Sequence, residues 1–338
     1  MPGLKAVGLR MPGYYVWDPS VVKGEDGRWH MFASRWPEWT GHQGWLYASE
    51  TIRAVSENIE GPYIFQELVL PERGGQWWDG RWTHNPRIYK IGRRYYLFYT
   101  GATHPFPALN HGEKCPVNHY RLVLNRSMKR IGLAVSDSVF GPWKRFDEPI
   151  LKTKPDTFYS FLTSNAAPCF NEDGSVLMVF KARAWEGNAW GGMTIGVAKS
   201  DNPEGPYEVI GDKPILPPGK VHVEDPFVWK DSGRYCMIAK DMEGNVSGEK
   251  FGGVFAESKD GLDWNIHMGE KSYSRSVKWN DGTSTDFRLL ERPFLLFQES
   301  RPTHLFLAAC LGGETVDSFE PSWNIVLPIE SGDNKDTH

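Results

Sequence analysis

The chain is as informative for what it lacks as for what it holds. It has only four cysteines, Cys115, Cys169, Cys236 and Cys310, scattered and without a Cys-x-x-Cys pair. That spacing excludes a disulfide framework or a zinc knuckle and predicts reduced thiols in the core. No apolar run reaches the 18 residues of a membrane span. No charged n-region followed by an apolar stretch opens the sequence, so it reads as cytoplasmic as it stands, or as periplasmic or secreted if a leader has been removed. No block of like charges appears, and 38 Lys and Arg oppose 42 Asp and Glu for a net charge of −4. Nucleic acid and anionic membranes are therefore excluded as expected partners. Long stretches with a 3.6-residue apolar period are also missing, which leaves helix a minor component.

What is present is aromatic. The 338 residues include 15 Trp, 13 Tyr and 18 Phe. Such rings favour strands, and tryptophan also stacks on the apolar faces of sugars. The 35 glycines and 24 prolines punctuate short apolar runs, the pattern of an all-β chain.

Those runs repeat. Five segments place polar or small residues before a proline and then an apolar strand: Trp17-Asp18-Pro19, His84-Asn85-Pro86, Asn165-Ala166-Ala167-Pro168, Glu224-Asp225-Pro226 and Glu291-Arg292-Pro293. The prolines lie 67, 82, 58 and 67 residues apart. Proline is tolerated at the start of a strand, before the ladder begins. A second strand follows each motif, opened by Gly27, Gly92, Gly174, Gly233 and Pro302. Third strands are expected at Trp45–Ser49, Ile131–Ser136, Thr194–Lys199, Gly253–Ser258 and Asn324–Ile329. Fourth strands follow Gly61-Pro62, Gly141-Pro142, Gly205-Pro206 and Gly261. The fifth unit runs out of chain, and Leu4–Leu9 is the candidate to fill its outer place. The pattern predicts a single five-bladed β-propeller of four-stranded antiparallel blades, over about 14–70, 83–151, 163–216, 222–268 and 288–330.

In such a ring the starts of the innermost strands and the ends of the second strands share one face. That face gathers Trp17, Arg35, Trp36, Trp77, Trp78, His84, Lys181, Arg183, Trp185, Trp190, His222 and Glu291. Trp36, Trp77, Trp78, Trp185 and Trp190 are candidate stacking platforms. Arg35, Lys181 and Arg183 would balance carboxylates or draw an acidic sugar or phosphate. His84 and His222 are candidates for sugar hydroxyls or a metal. Glu224 and Asp225 form an acidic pair at a strand mouth, where carboxylates are rarely left without a partner or a task. They alternate along a strand, so one is expected to face the axis and the other to serve as an ion-pair partner or backbone acceptor in support. The basic, irregular segment 101–130 reads as a wall or lid.

The five motifs, with Ala134-Val135-Ser136-Asp137 before Gly141-Pro142-Trp143 and Ala198-Lys199-Ser200-Asp201 before Gly205-Pro206-Tyr207, resemble five-bladed propeller glycoside hydrolases. The nearest likeness is to glycoside hydrolase family 43, the arabinanases and xylosidases. The related family 117 and the phosphorylases of family 130 share the propeller. The resemblance implies that Asp18 is the general base and Glu224 the general acid of an inverting hydrolase. Its third acid would fall at Ala167, a departure that marks a divergent member. Asn85 and Asn165 would support the site there without charge. Glu224 is expected to stay protonated through burial and the Asp225 charge, and an inverting pair spans about 6.5–9.5 Å. No cofactor is required, although the likeness makes a structural calcium ion in the central channel a candidate.

The reading is an exo-acting glycosidase, monomeric or a small homo-oligomer, releasing a terminal sugar from an oligosaccharide or glycoside. A furanose such as arabinose is the first expectation. The alternatives are a phosphorylase of the same fold and a sugar-binding propeller without catalysis.

Overall fold

Four blades are four-stranded antiparallel sheets that follow one another along the chain. The computed structural model describes residues 2–3, 8–113, 115–116, 118–190, 192–216 and 221–329. Blade one comprises Tyr14–Lys23, Trp29–Pro37, Glu50–Ser56 and Ile64–Leu68. Blade two comprises Trp82–Ile91, Arg94–Ala102, Arg130–Ser136 and Lys144–Arg145. Blade three comprises Leu162–Phe170, Val176–Arg183, Met193–Ser200 and Glu208–Val209, and blade four Val223–Asp231, Arg234–Asp241, Gly253–Ser258 and Asn265–Ile266. Among the described residues blade five has three strands, Leu289–Gln298, Arg301–Cys310 and Trp323–Pro328.

The outer place of blade five is taken from the other end of the chain. Leu9 and Asn324 exchange backbone hydrogen bonds of 3.1 and 3.0 Å. Gly8 precedes this bridge at φ 93°, and a Cβ there would lie 1.9 Å from the Asn324 carbonyl oxygen, so only glycine fits. Residues 4–7 of the expected strand lie outside the described residues. Ser322 fixes the closure by accepting from the Val16 amide and donating to its carbonyl.

One expected strand is wrong. Trp45–Ser49 is not the third strand of blade one; His42–Leu46 forms a 3-10 turn, and Glu50–Ser56 is the strand. The run Trp-Leu-Tyr-Ala is apolar but does not alternate, whereas Ile52 and Ala54 enter the core cluster in alternation with the polar residues Thr51 and Arg53. A small sheet was also not anticipated: Pro2–Gly3 pairs parallel with Ser276–Trp279, which pairs with Ser284–Asp286. The 101–130 segment carries the helix Tyr120–Ser127.

The core lies between neighbouring blades. Phe32, Ile88 and Leu97 fill the gap between the first two, and Phe98, Met178 and Phe180 the next. Val179 and Met237 pack between blades three and four, and Phe227, Phe294 and Phe306 close the ring. All four cysteines are buried and unpaired. Among the described residues, no helix is long and apolar enough to cross a membrane.

Candidate active site

The five innermost strands share one local irregularity. Each slips register against its partner strand, between Trp17 and Ser20, His84 and Arg87, Ser164 and Ala167, Glu224 and Phe227, and Glu291 and Phe294. The residue inside each bulge is left-handed: Asp18, Asn85, Asn165, Asp225 and Arg292 have φ between 52° and 59°. Bulges re-aim side chains, and here all five gather around the axis. In four blades this residue directly precedes proline. In blade three it is Asn165, three residues before Pro168. The position equivalent to Asp18 is therefore Asn165, and Ala167 lies two residues further along, buried among apolar side chains.

The five side chains form a closed polar ring. Asn85 Nδ2 donates to Asp18 Oδ1 at 3.0 Å, and Thr100 Oγ1 donates to Asn85 Oδ1 at 3.2 Å. The same hydroxyl accepts from the Asn165 amide at 3.3 Å. Asn165 Nδ2 donates to Asp225 Oδ1 at 2.7 Å, and Arg292 Nη1 reaches the same oxygen at 2.8 Å. Arg292 Nε then closes on Asp18. Asp225 thus sits in the supporting role expected of it.

Asp18 is 1 % exposed and engaged on both oxygens. Ser34 donates at 2.6 Å, the Asn85 amide at 3.2 Å, and His84 Nε2 lies 3.3 Å away. Burial pushes its carboxyl up, but His84, Arg292 and the hydrogen bonds outweigh it and hold it well below the usual carboxylate range. His84 is itself buried and pulled down to about 3, chiefly by desolvation, so it is neutral. With Ser49 Oγ 2.7 Å from Nδ1, its Nε2–H points at Asp18.

Above the ring opens a cavity of about 400 Å³. Trp17, Trp36, His84, Lys181, Glu224 and Glu291 line it, with Asn85, Asn165, Asp225 and Arg292 at its floor. Asp18 is not part of the lining; its neighbours His84, Asn85 and Arg292 are. Trp36 stacks on Tyr15 at 5.4 Å and is 1 % exposed, so it offers the cavity an edge rather than a free face.

Two carboxylates face this space with opposite acid strengths. Glu224 meets Lys181, and its Oε2 lies 2.8 Å from Lys240 Nζ. Burial raises it, but the two lysines prevail and hold it well below its ordinary value. The expected protonated Glu224 is thus corrected: the Asp225 charge is neutralised by Arg292 and Lys240, and two ammoniums keep Glu224 ionised. Glu291 lies 2.8 Å from the same Lys240 Nζ. Burial lifts it to about 7, opposed by Lys240 and assisted by the charges of Asp225 and Glu224.

Several expected contacts lie elsewhere. Arg35 points away from Trp36 to the outer side of blade one, where Nε meets Glu50 at 3.1 Å and the guanidinium covers Tyr14 and Phe65. Trp78 packs 5.8 Å from Tyr99, over Gly101 and Gly132, and Trp77 lies under Arg73. His222 is half-exposed, 3.4 Å from Glu243, in a separate depression. Trp185, 56 % exposed against Phe161, and Trp190, beneath Arg126, stand at the rim. Arg183 does not line the cavity but lies within electrostatic reach of Glu224.

Lys240, expected on this face at the end of its strand, lines the cavity, whereas His42, Trp45, Lys129, Arg126, Arg288, Phe251 and Phe319 escaped the sequence reading. His42 and Trp45 were hidden by the misread strand. Arg126 and Lys129 come from the basic 101–130 segment, so its role as a wall was legible although its side chains were not. The segment is tied down by Asn125 Nδ2, which donates to the Leu46 carbonyl, and Arg126 Nε, which donates to the Ala189 carbonyl at 3.2 Å.

A calcium ion does not fit the channel. Calcium takes six to eight oxygen ligands, whereas the axis holds Arg292 and, beyond the ring, the buried Arg87 guanidinium, whose three nitrogens have no hydrogen-bond partner among the described residues. Among the described residues, no group of three His, Cys, Asp or Glu side chains is placed to hold a metal ion.

No family model matches the sequence, and no curated protein sequence matches it. Solved structures do. A family 117 glycoside hydrolase produced by the marine bacterium Zobellia galactanivorans matches at 14 % identity and TM-score 0.64, covering 93 % of this chain and 85 % of its own. A thermostable family-43 glycoside hydrolase matches at 16 % and 0.63, covering 98 % and 94 %. The native Bacillus subtilis arabinanase matches at 14 % and 0.56, covering 94 % of each. At these identities the likeness is one of fold.

Proposed function

We propose that the chain is an inverting, exo-acting glycoside hydrolase that removes a terminal sugar at the walled cavity. One observation carries this reading. Glu224 and Glu291 face one space, share the ammonium of Lys240, and have acid strengths driven apart. Carboxyl pairs separated in this way mark acid and base roles. Glu291 keeps its proton up to about pH 7 and donates it to the leaving oxygen. Glu224, the donor implied by the resemblance, is instead the anion that fixes the ammoniums of Lys181 and Lys240 beside the cavity.

Asp18 remains ionised and serves as the base. Its water enters between His84 and Arg292, which line the cavity and hold its oxygens. Exo action follows from the walls. Side chains of all five blades and the 101–130 segment surround the cavity, so a chain end fits better than the middle of a polymer.

The test is a screen of chromogenic glycosides and oligosaccharides, followed by Glu291→Gln, Glu224→Gln and Asp18→Asn. Loss of a positioned acid costs about 10²–10⁴-fold. Glu291→Gln should show that loss on natural leaving groups and much less on activated aryl groups, which need no proton. If Glu224→Gln shows this selectivity and Glu291→Gln does not, the donor is Glu224. Proton NMR of the first-formed anomer tests inversion. A phosphorylase is the second reading, favoured by the cations around the cavity; phosphate-dependent release of a sugar 1-phosphate would replace hydrolysis with it. No turnover in the whole screen would leave a sugar-binding propeller.

A further inference from the structure

The catalytic pair leaves one part of the cavity unexplained. Lys129 is 4 % exposed and lines the wall formed by the 101–130 segment. Its ammonium lies between two indoles, 4.2 Å from the Trp45 ring and 4.3 Å from the Trp82 ring. Among the described residues, no carboxylate or carbonyl accepts a hydrogen bond from it. Arg126 is equally buried, lines the same wall, and its Nη2 has no hydrogen-bond partner among the described residues.

Lysine is almost never buried without a partner, and an uncompensated buried charge is costly. The indole faces attract the ammonium but bring no negative charge. The surroundings make matters worse. Burial first, then Arg126, Lys181 and Arg183, push Lys129 well below its ordinary value, against Glu224 alone. Glu224 is already taken by Lys181 and Lys240. Five cations, Lys129, Arg126, Lys181, Arg183 and Lys240, therefore crowd one neutralised carboxylate beside the cavity. A bound anion would satisfy the free donors and offset the repulsion at once.

We propose that Lys129 and Arg126 form an oxyanion subsite, and that the sugar entering the cavity is acidic, with its carboxylate held against the Trp45–Trp82 sandwich. The proposal rests on the glycosidase reading only for the identity of the ligand. It replaces the neutral arabinofuranose that the family likeness suggested. The carboxylate of a uronic acid and free inorganic phosphate share the required chemistry, and the experiment separates them.

The experiment measures binding, so it does not depend on turnover. The full chain is titrated by calorimetry with galacturonate, glucuronate, galactose and inorganic phosphate. The same series is run on Lys129→Met, which keeps the apolar stem between the indoles, and on Lys129→Arg, which keeps the charge. At least one uronate should bind at least tenfold more tightly than galactose, lose that margin in Lys129→Met and recover most of it in Lys129→Arg. Phosphate binding with the same dependence on Lys129, without uronate binding, would uphold the oxyanion subsite but assign it to free phosphate. Equal affinity for uronates and galactose with no phosphate binding would overturn the proposal, as would oxyanion binding that Lys129→Met leaves unchanged. If Lys129→Met does not fold, Arg126→Gln carries the same comparison. Activity lost in Glu291→Gln with uronate binding intact would test the catalytic roles separately.

Discussion

Lys240 Nζ and Glu291 Oε1 meet at 2.8 Å, and the contact does not ionise the glutamate below about pH 7. The reason is competition. Lys240 also serves Glu224 at 2.8 Å and Asp225 at 3.6 Å, so one ammonium faces three carboxyls.

This makes stability depend on pH in a stated direction. The unfolded value of a glutamate is about 4.3, so between there and about 7 the folded chain holds a proton that the unfolded chain has released. Glu291 therefore makes stability fall as pH rises through that window. The effect is on the order of 3 kcal/mol. Glu291→Gln removes it: denaturant unfolding should show the variant gaining on the native protein at pH 8 relative to pH 5. An equal difference at both pH values would show that Glu291 is ionised throughout. Activity should fall on the alkaline side of about pH 7 for the same reason.

The Asp18–Arg292 pair predicts a coupled loss. Both side chains are buried, and Arg292 also holds Asp225 at 2.8 Å. Removing one member of a buried pair leaves the other uncompensated and costs about 3–5 kcal/mol. Asp18→Asn and Arg292→Met should each lose that much in denaturant unfolding, and the double variant clearly less than the two together. Strict additivity would mean that the ring is not one unit.

The five proline motifs made the blades legible, because a strand that begins at proline and repeats has few other homes. The same motifs misled at Ala167. Counting back from Pro168 assigns the wrong residue, since the bulge in blade three falls at Asn165 and no local signal marks the offset. Glu224 was found by its place in the repeat, but its charge was not. That is set by Lys181 and Lys240 on neighbouring strands, one of them 43 residues away. Arg35 and Trp36 could have been separated, because adjacent residues of a strand face opposite sides. Trp45 and Trp78 could not: both are tryptophans near the same face, and what distinguishes them is the pair of glycines beneath one.

Those glycines support a prediction that separates packing from recognition. A Cβ on Gly132 would lie 2.4 Å from the Trp78 ring, and one on Gly101 would lie 2.7 Å from it. Gly132→Ala should overpack the site and cost about 1–3 kcal/mol. Trp78→Ala should leave a hole and cost about 3–5 kcal/mol. Neither should change the KM of whichever glycoside is turned over, because Trp78 does not line the cavity. A KM raised tenfold by Trp78→Phe would return it to the list of sugar platforms.

The axial channel predicts indifference to calcium. Arg87 is 1 % exposed, its guanidinium lies 5.7 Å from the rings of Phe227 and Phe294, and it stands within electrostatic reach of Asp18 and Asp225. A divalent cation on this axis would face two guanidiniums at close range and compete with Arg292 for the aspartates it needs as ligands. Ligand binding raises stability by about 2.7 kcal/mol when the ligand stands at 100 times its dissociation constant, so a genuine site would be plain in a thermal melt. The Tm should be the same in millimolar calcium and in excess chelator. Arg87→Met removes the axial cation and is the sensitised case. A calcium-dependent rise of several degrees in that variant, absent from the native protein, would show that the guanidinium excludes the metal. A rise in the native protein would overturn the argument.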